Sequence, residues 1–89
     1  RQLISNLRIV LRTIELQALA FRSSVTTTTL SKRQQEIELA RYREGRSTSV
    51  RVLAAQQAHL EALSSSIEAR ATYVIARGQL SVLLGRHDP

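Results

Sequence analysis

The residues in this 89-residue chain that could do chemistry are two histidines, seven acids and thirteen cations, with no cysteine. His59 and His87 are far apart in sequence, and neither has a second ligand residue at metal-binding spacing. Both are therefore expected to be solvated rather than metal-bound. Glu36 and Glu38 are two apart in a helical stretch, so they leave the helix on different faces and cannot share an acid–base task. There is no glycine-rich phosphate loop and no arguable Ser-His-Asp set. No catalytic, cofactor or metal site is expected, and of enzyme, binding module and conduit segment, enzyme ranks last. Without cysteine there is no disulfide framework, and neither an oxidising nor a reducing compartment is excluded.

The cations give a formal net charge of +6. A basic helical chain could bind nucleic acid, but Arg8, Arg12, Arg22, Arg33, Arg70 and Arg77 are scattered, with Glu15, Glu36, Glu38, Glu61 and Glu68 among them. No basic face with stacking aromatics emerges, so these arginines read as a solvated surface and nucleic acid is not an expected partner. The exception is one short segment, where Arg41, Arg43, Arg46 and Arg51 accompany only Glu44.

Those groups are carried by two long periodic arms. Hydrophobic residues make up 43% of the chain, but only Phe21, Tyr42 and Tyr73 are aromatic. Aliphatic and alanine content of this kind suits helix–helix seams better than a thick core. In the first arm Ile4, Leu7, Leu11, Ile14, Ala18, Phe21, Val25, Thr28, Lys32, Gln35, Leu39 and Tyr42 alternate in steps of three and four, the heptad pattern of a helix lying along a partner. The stripe turns polar at Thr28, Lys32 and Gln35, so packing is expected to loosen toward the turn. A second stripe, Ile9, Leu16, Leu19, Leu30, Ile37 and Ala40, sits on another face.

The second arm carries Val50, Leu53, Leu60, Ile67, Ala71 and Val74 in one register with Gln57, Ser64 and Gly78. A small-residue stripe, Ala58, Ala62, Ser65, Ala69, Tyr73, Ala76, Leu80 and Leu83, permits close helix approach. Five consecutive β-branched residues, Val25–Thr29, cost roughly 3 kcal/mol relative to alanine. The heptad phase nevertheless continues unchanged through them, and their hydroxyls can bond back to carbonyls one turn earlier. This segment is expected to be helical.

Tyr42-Arg43-Glu44-Gly45 reads as a helix end, with Gly45 placed for a left-handed C′ conformation. Ser47, Thr48 and Ser49 offer hydroxyl caps to the next helix. Arg51 is out of place, a cation in a first turn whose dipole favours an acid. The expected fold is all-α: an antiparallel two-helix coiled-coil hairpin, with helices over about 4–43 and 49–84 and a tip turn over 44–48. No run is long and apolar enough to span a membrane. The chain starts without Met and enters the periodic pattern at once, so it is expected to be a piece of a longer protein.

The order Tyr42-Arg-Glu-Gly45-Arg-Ser-Thr-Ser-Val-Arg-Val52-Leu53-Ala-Ala-Gln56, then Leu60 and Ala62, then Leu80-Ser-Val-Leu-Leu84-Gly85, resembles the TolC-like outer-membrane efflux proteins. Their repeats carry a Tyr-x-x-Gly turn, a Ser/Thr-rich stretch, Asp-Val-Leu-x-Ala-Gln, an Ala-rich helix and Leu-x-x-Leu-Leu-Gly. The match covers residues 39–85; residues 1–38 fit only as a long helix, and Arg51 stands where the family has Asp.

The resemblance implies one hairpin of a larger α-barrel. This barrel would be the periplasmic part of a trimeric bacterial outer-membrane channel, exporting substrates in a tripartite efflux or type I secretion system. It also implies that the tip, Tyr42, Gly45, Arg46, Ser47, Thr48, Ser49, Val50, Arg51 and Leu53, docks a periplasmic adaptor protein, which links it to an inner-membrane transporter. The close at Leu84-Gly85-Arg86-His87-Asp88-Pro89 is similar to the family's first hairpin repeat. The alternatives are the coiled-coil hairpin of such an adaptor, which would have lipoyl-like flanks, and a basic nucleic-acid-binding module.

Overall fold

In the computed structural model, residues 2–85 are described; His87, read above as a solvated side chain, and the rest of the close after Gly85 lie outside them. Two helices, α1 (Gln2–Arg43) and α2 (Ser49–Leu83), turn back on each other to form an all-α hairpin 65 × 26 × 14 Å in extent. A helix of 42 residues is about 63 Å long at 1.5 Å per residue, so α1 alone accounts for the long dimension. Among the described residues, no helix is long and apolar enough to cross a membrane.

The β-branched run stays helical by the device its composition offers. Thr26, Thr27, Thr28 and Thr29 each donate the hydroxyl to the carbonyl four residues earlier, at 2.8–3.2 Å. Such bonds occupy the side chain that would otherwise compete for the backbone in extended structure.

The helices meet along one regular seam. From α1 it takes Leu7, Val10, Ile14, Gln17, Phe21, Ser24, Thr28, Ser31, Gln35 and Glu38; from α2 it takes Val52, Ala55, His59, Ala62, Ser66, Ala69, Tyr73, Ala76, Leu80 and Leu83. All of them are buried or half-buried. Both sets step by three and four without a break, as an antiparallel coiled coil requires. Alanine occupies every second seam position of α2 from 55 to 76, at 55, 62, 69 and 76, and Ala62 and Ala76 are two of its three buried residues. Side chains that small let the two backbones approach closely. Thr28 Oγ1 shares its one proton between the Ser24 carbonyl of its own helix at 2.8 Å and, across the gap, the Ala62 carbonyl at 3.1 Å, and Ser31 Oγ lies 3.1 Å from His59 Nδ1. In this register the numbers of facing residues add to 90, which centres the hairpin on Gly45.

The α1 seam differs from the stripe read from the sequence. Leu7, Ile14, Phe21, Thr28 and Gln35 are shared, but the second column is Val10, Gln17, Ser24, Ser31 and Glu38. Ile4, Leu11, Val25, Lys32 and Tyr42 are left exposed. The stripe was read from apolarity, whereas pairing follows the face that fits closely against the alanines of α2. Packing also does not loosen toward the turn as expected: Val52, four residues into α2, is only 8% exposed.

The remaining apolar residues are turned away from the seam. Ile9, Leu16, Leu19, Leu30 and Ile37 line the outer edge of α1, and Val50, Leu53, Leu60, Ile67 and Val74 line that of α2; all are exposed. The chain exposes 7237 Å². A compact 10.0 kDa chain would expose about 5,200 Å², so the excess is roughly 2,000 Å².

Candidate docking tip

The reversal is built from backbone bonds that end α1 and side-chain bonds that start α2. Gly45 adopts φ +75°, a left-handed conformation that costs a residue with a Cβ but not glycine. Its N–H bonds the Tyr42 carbonyl at 3.0 Å, and the Arg46 N–H bonds the Arg41 carbonyl at 2.7 Å. These are the paired bonds of a Schellman cap, and they satisfy carbonyls that the helix end would leave free. Arg41 and Arg43 lie in the last turn, where the helix dipole favours cations.

Of the three hydroxyl residues after Gly45, the structure gives each a different position. Thr48, extended at φ −120° and ψ 159°, is the N-cap of α2, its Oγ1 accepting from the Arg51 N–H at 3.2 Å. Ser47 is half-buried and donates its hydroxyl to the Glu38 carboxylate. Ser49 is the first residue of α2 and is exposed. The bond from Ser47 fastens the turn to α1, so this hydroxyl belongs to the hairpin rather than to its outer surface.

The outward chemistry of the tip is therefore cationic and apolar, with Thr48 and Ser49 the hydroxyl residues left exposed. Arg46 lies 3.8 Å from Glu44, both side chains largely in water. Screening by water keeps such a pair weak, and Arg46 is left mostly available. Gly45, Arg46, Ser47, Thr48 and Arg51 line a shallow depression at the very end. Tyr42, Val50 and Leu53 are all exposed beside it, Val50 at 73%. No acid stands in the first turn of α2, so Arg51 sits beside the positive end of the helix dipole without compensation on its own helix. The arrangement offers an anionic or carbonyl-rich partner a shallow surface flanked by arginines with apolar side chains around it.

Away from the tip, one sequence expectation is corrected. His59 is not solvated but half-buried in the seam, where it meets Ser31. Its heptad position, seven residues after Val52 and seven before Ser66, was the signal for this. Sequence reasoning also missed Glu38 as the anchor of Ser47, although Glu38 stands seven residues after Ser31 in the same seam column. Among the described residues no group of three His, Cys, Asp or Glu side chains converges as a metal site would require. No family model, curated protein or solved structure matches the chain.

Proposed function

We propose that this chain is a hairpin of an α-helical barrel in the periplasmic part of an outer-membrane export channel, with the Gly45 turn as the tip that docks an adaptor protein. The carrying observation is a long hairpin that keeps heptad order on both outer edges while covering neither of them. A helix apolar on two opposite sides is suited to a wall of helices, flanked left and right, rather than to a two-helix unit standing alone. The reading accordingly makes the chain a homo-oligomer; a trimer and the indirect link to an inner-membrane transporter come from the resemblance to TolC-like proteins.

The tip supports the docking half of the reading. Its backbone is held by two cap bonds, the Thr48 cap and the Ser47–Glu38 bond, so it presents a fixed shape. Arg46 and Arg51 add an attraction that salt should screen. The test is Arg46→Glu with Arg51→Glu in the full-length protein. Adaptor binding should weaken more at low salt than at high salt, and export should fall while the protein still folds and reaches the outer membrane. Unchanged binding and export at both salt levels would make the arginines bystanders. For assembly, sedimentation and circular dichroism of the 89-residue chain over a dilution series should show association, or loss of helix on dilution. A fully helical monomer at micromolar concentration would defeat the multi-chain reading.

A further inference from the structure

We infer that Arg41 and Arg51 together seat a carboxylate of the docking partner on one broad side of the tip. The inference rests on the proposed docking reading and names the partner's chemistry and the side from which it meets the tip.

The first support is the register, which gathers two arginines from different helices. Gln34 and Thr27 stand seven and fourteen residues before Arg41, and Ala58 and Ser65 stand seven and fourteen after Arg51. Thr27, Ala58 and Ser65 line one trough beside the seam, and Gln34, Arg41 and Ala55 line the next depression toward the turn. In helices that keep heptad order, residues seven apart share a column. Arg41 and Arg51 are therefore the tip ends of the two columns that flank this trough. Arg43, two residues on from Arg41, leaves α1 in another direction.

The second support is charge without compensation. Among the described residues the one ion pair is Arg46 with Glu44. Glu38 lines the same depression as Arg41, but its carboxylate accepts the Ser47 hydroxyl. Arg51 has no acid in its turn, and the dipole of α2 works against it there. Two like charges thus flank one mouth, and a carboxylate between them relieves both. A neutral carbonyl does so far less.

The third support is size. Across its long axis the hairpin measures 26 × 14 Å, so an end-on partner covers well under the roughly 800 Å² of a standard interface. Burial alone is too small there to select a partner, and charge complementarity supplies the selection.

The test sets binding against stability, because the two arginines sit at opposite helix ends. Arg41 lies in the last turn of α1, where the dipole favours a cation, and Arg51 in the first turn of α2, where it does not. In urea unfolding of the 89-residue chain at fixed concentration, Arg41→Gln should lower the folding equilibrium constant about two- to fivefold. Arg51→Gln should raise it by a similar factor. In the full-length protein both should weaken adaptor binding, roughly tenfold together at low salt and much less at high salt. Arg43→Gln, in the same last turn as Arg41, should copy its stability loss and leave binding within about twofold. Arg51→Glu, combined in turn with Lys at each acidic residue of the adaptor tip, should recover binding at one of them. Binding that merely follows stability, gained in Arg51→Gln and lost in Arg43→Gln, would overturn the seat. Loss of binding that no swap recovers would overturn the carboxylate and leave the docking tip standing. Binding of the chain to phosphatidylglycerol vesicles, weakened as much by Arg43→Gln as by Arg41→Gln, would overturn the inference in favour of a lipid surface. A parent protein that binds no adaptor at any salt would remove the docking reading itself.

Discussion

The half of the seam far from the tip and the half beside it share one heptad geometry and differ in chemistry. Far from the tip, Leu7, Val10, Ile14 and Phe21 face the stretch of α2 from Ala69 to Leu83. There Tyr73 stacks on Phe21 with ring centroids 6.3 Å apart, and the Arg77 guanidinium lies 5.7 Å from the Tyr73 centroid. Beside the tip, Ser24, Thr28, Ser31, Gln35 and Glu38 face Val52, Ala55, His59, Ala62 and Ser66, with direct hydrogen bonds across the gap. Apolar contacts are strong but tolerate sliding by a heptad. Hydrogen bonds add little net stability, yet each has one acceptable partner position. The difference suggests a division of labour, with the far half supplying stability and the tip half fixing register.

The largest expected effect tests the first part of that division. Phe21→Ala should destabilise the hairpin by about 2 kcal/mol, below the roughly 3–5 kcal/mol of a fully buried aromatic because Phe21 is only half-buried. Urea unfolding at a fixed chain concentration reads it, since association would otherwise shift the midpoint. A cost no greater than that of Thr28→Ala would erase the contrast between the halves.

The second expectation has the opposite sign. Replacing the polar cluster as a unit, Thr28→Val with Ser31→Ala and His59→Leu, removes donors and acceptors together and adds apolar surface to the seam. Stability should rise by about 1 kcal/mol while register loosens. The urea midpoint should move up, and the single set of amide signals should broaden or double. A more stable hairpin that keeps one sharp set of signals would show that the turn alone sets register.

The turn is the other candidate for that task, and Gly45→Ala isolates it. Nothing lies within 4 Å of the added Cβ, so the cost is the positive φ alone, about 1 kcal/mol, and more for a β-branched residue. Hydrogen exchange should accelerate beside the tip and stay unchanged around Phe21. Uniform acceleration would mean that the two halves open as one unit.

Where sequence sufficed and where it fell short follows the same physics. The hairpin, the reversal at Gly45 and the helical threonine run were legible because each depends on local chemistry: heptad spacing, a glycine C′ and hydroxyls that bond back one turn. Which face of α1 would close was not legible. Apolarity marks every face destined for cover, and in this chain the outer edges are as apolar as the seam. The seam is chosen instead by the alanines at 55, 62, 69 and 76, which allow approach, and by polar pairs such as Thr28 with Ala62 that no hydrophobicity pattern registers. At the tip, the reversal at Gly45 and a hydroxyl cap somewhere in Ser47–Ser49 could be placed from sequence, but the choice of Thr48 among the three came from the structure. The inward bond of Ser47 could not, because Glu38 becomes its neighbour only once the register is set.

The smallest expected effect probes a single bond of the tip half. Ser31 has one hydroxyl proton, and it is donated to the Thr28 carbonyl at 2.9 Å. The oxygen can then only accept from His59, so Nδ1 must carry a proton and the neutral ring is the Nδ1–H tautomer, with Nε2 left as the acceptor. Ser31→Ala removes that acceptor. The loss should be about 0.5 kcal/mol, at the low end for a neutral hydrogen bond, because a half-buried ring can turn to water instead. The sharper reading is spectroscopic: nitrogen chemical shifts of neutral His59 should report Nδ1–H in the parent chain and move toward Nε2–H in Ser31→Ala. If the parent already shows Nε2–H, then Ser31 donates to the ring and not to Thr28. The bond would still cross the seam, but the proton order along Thr28, Ser31 and His59 would be reversed.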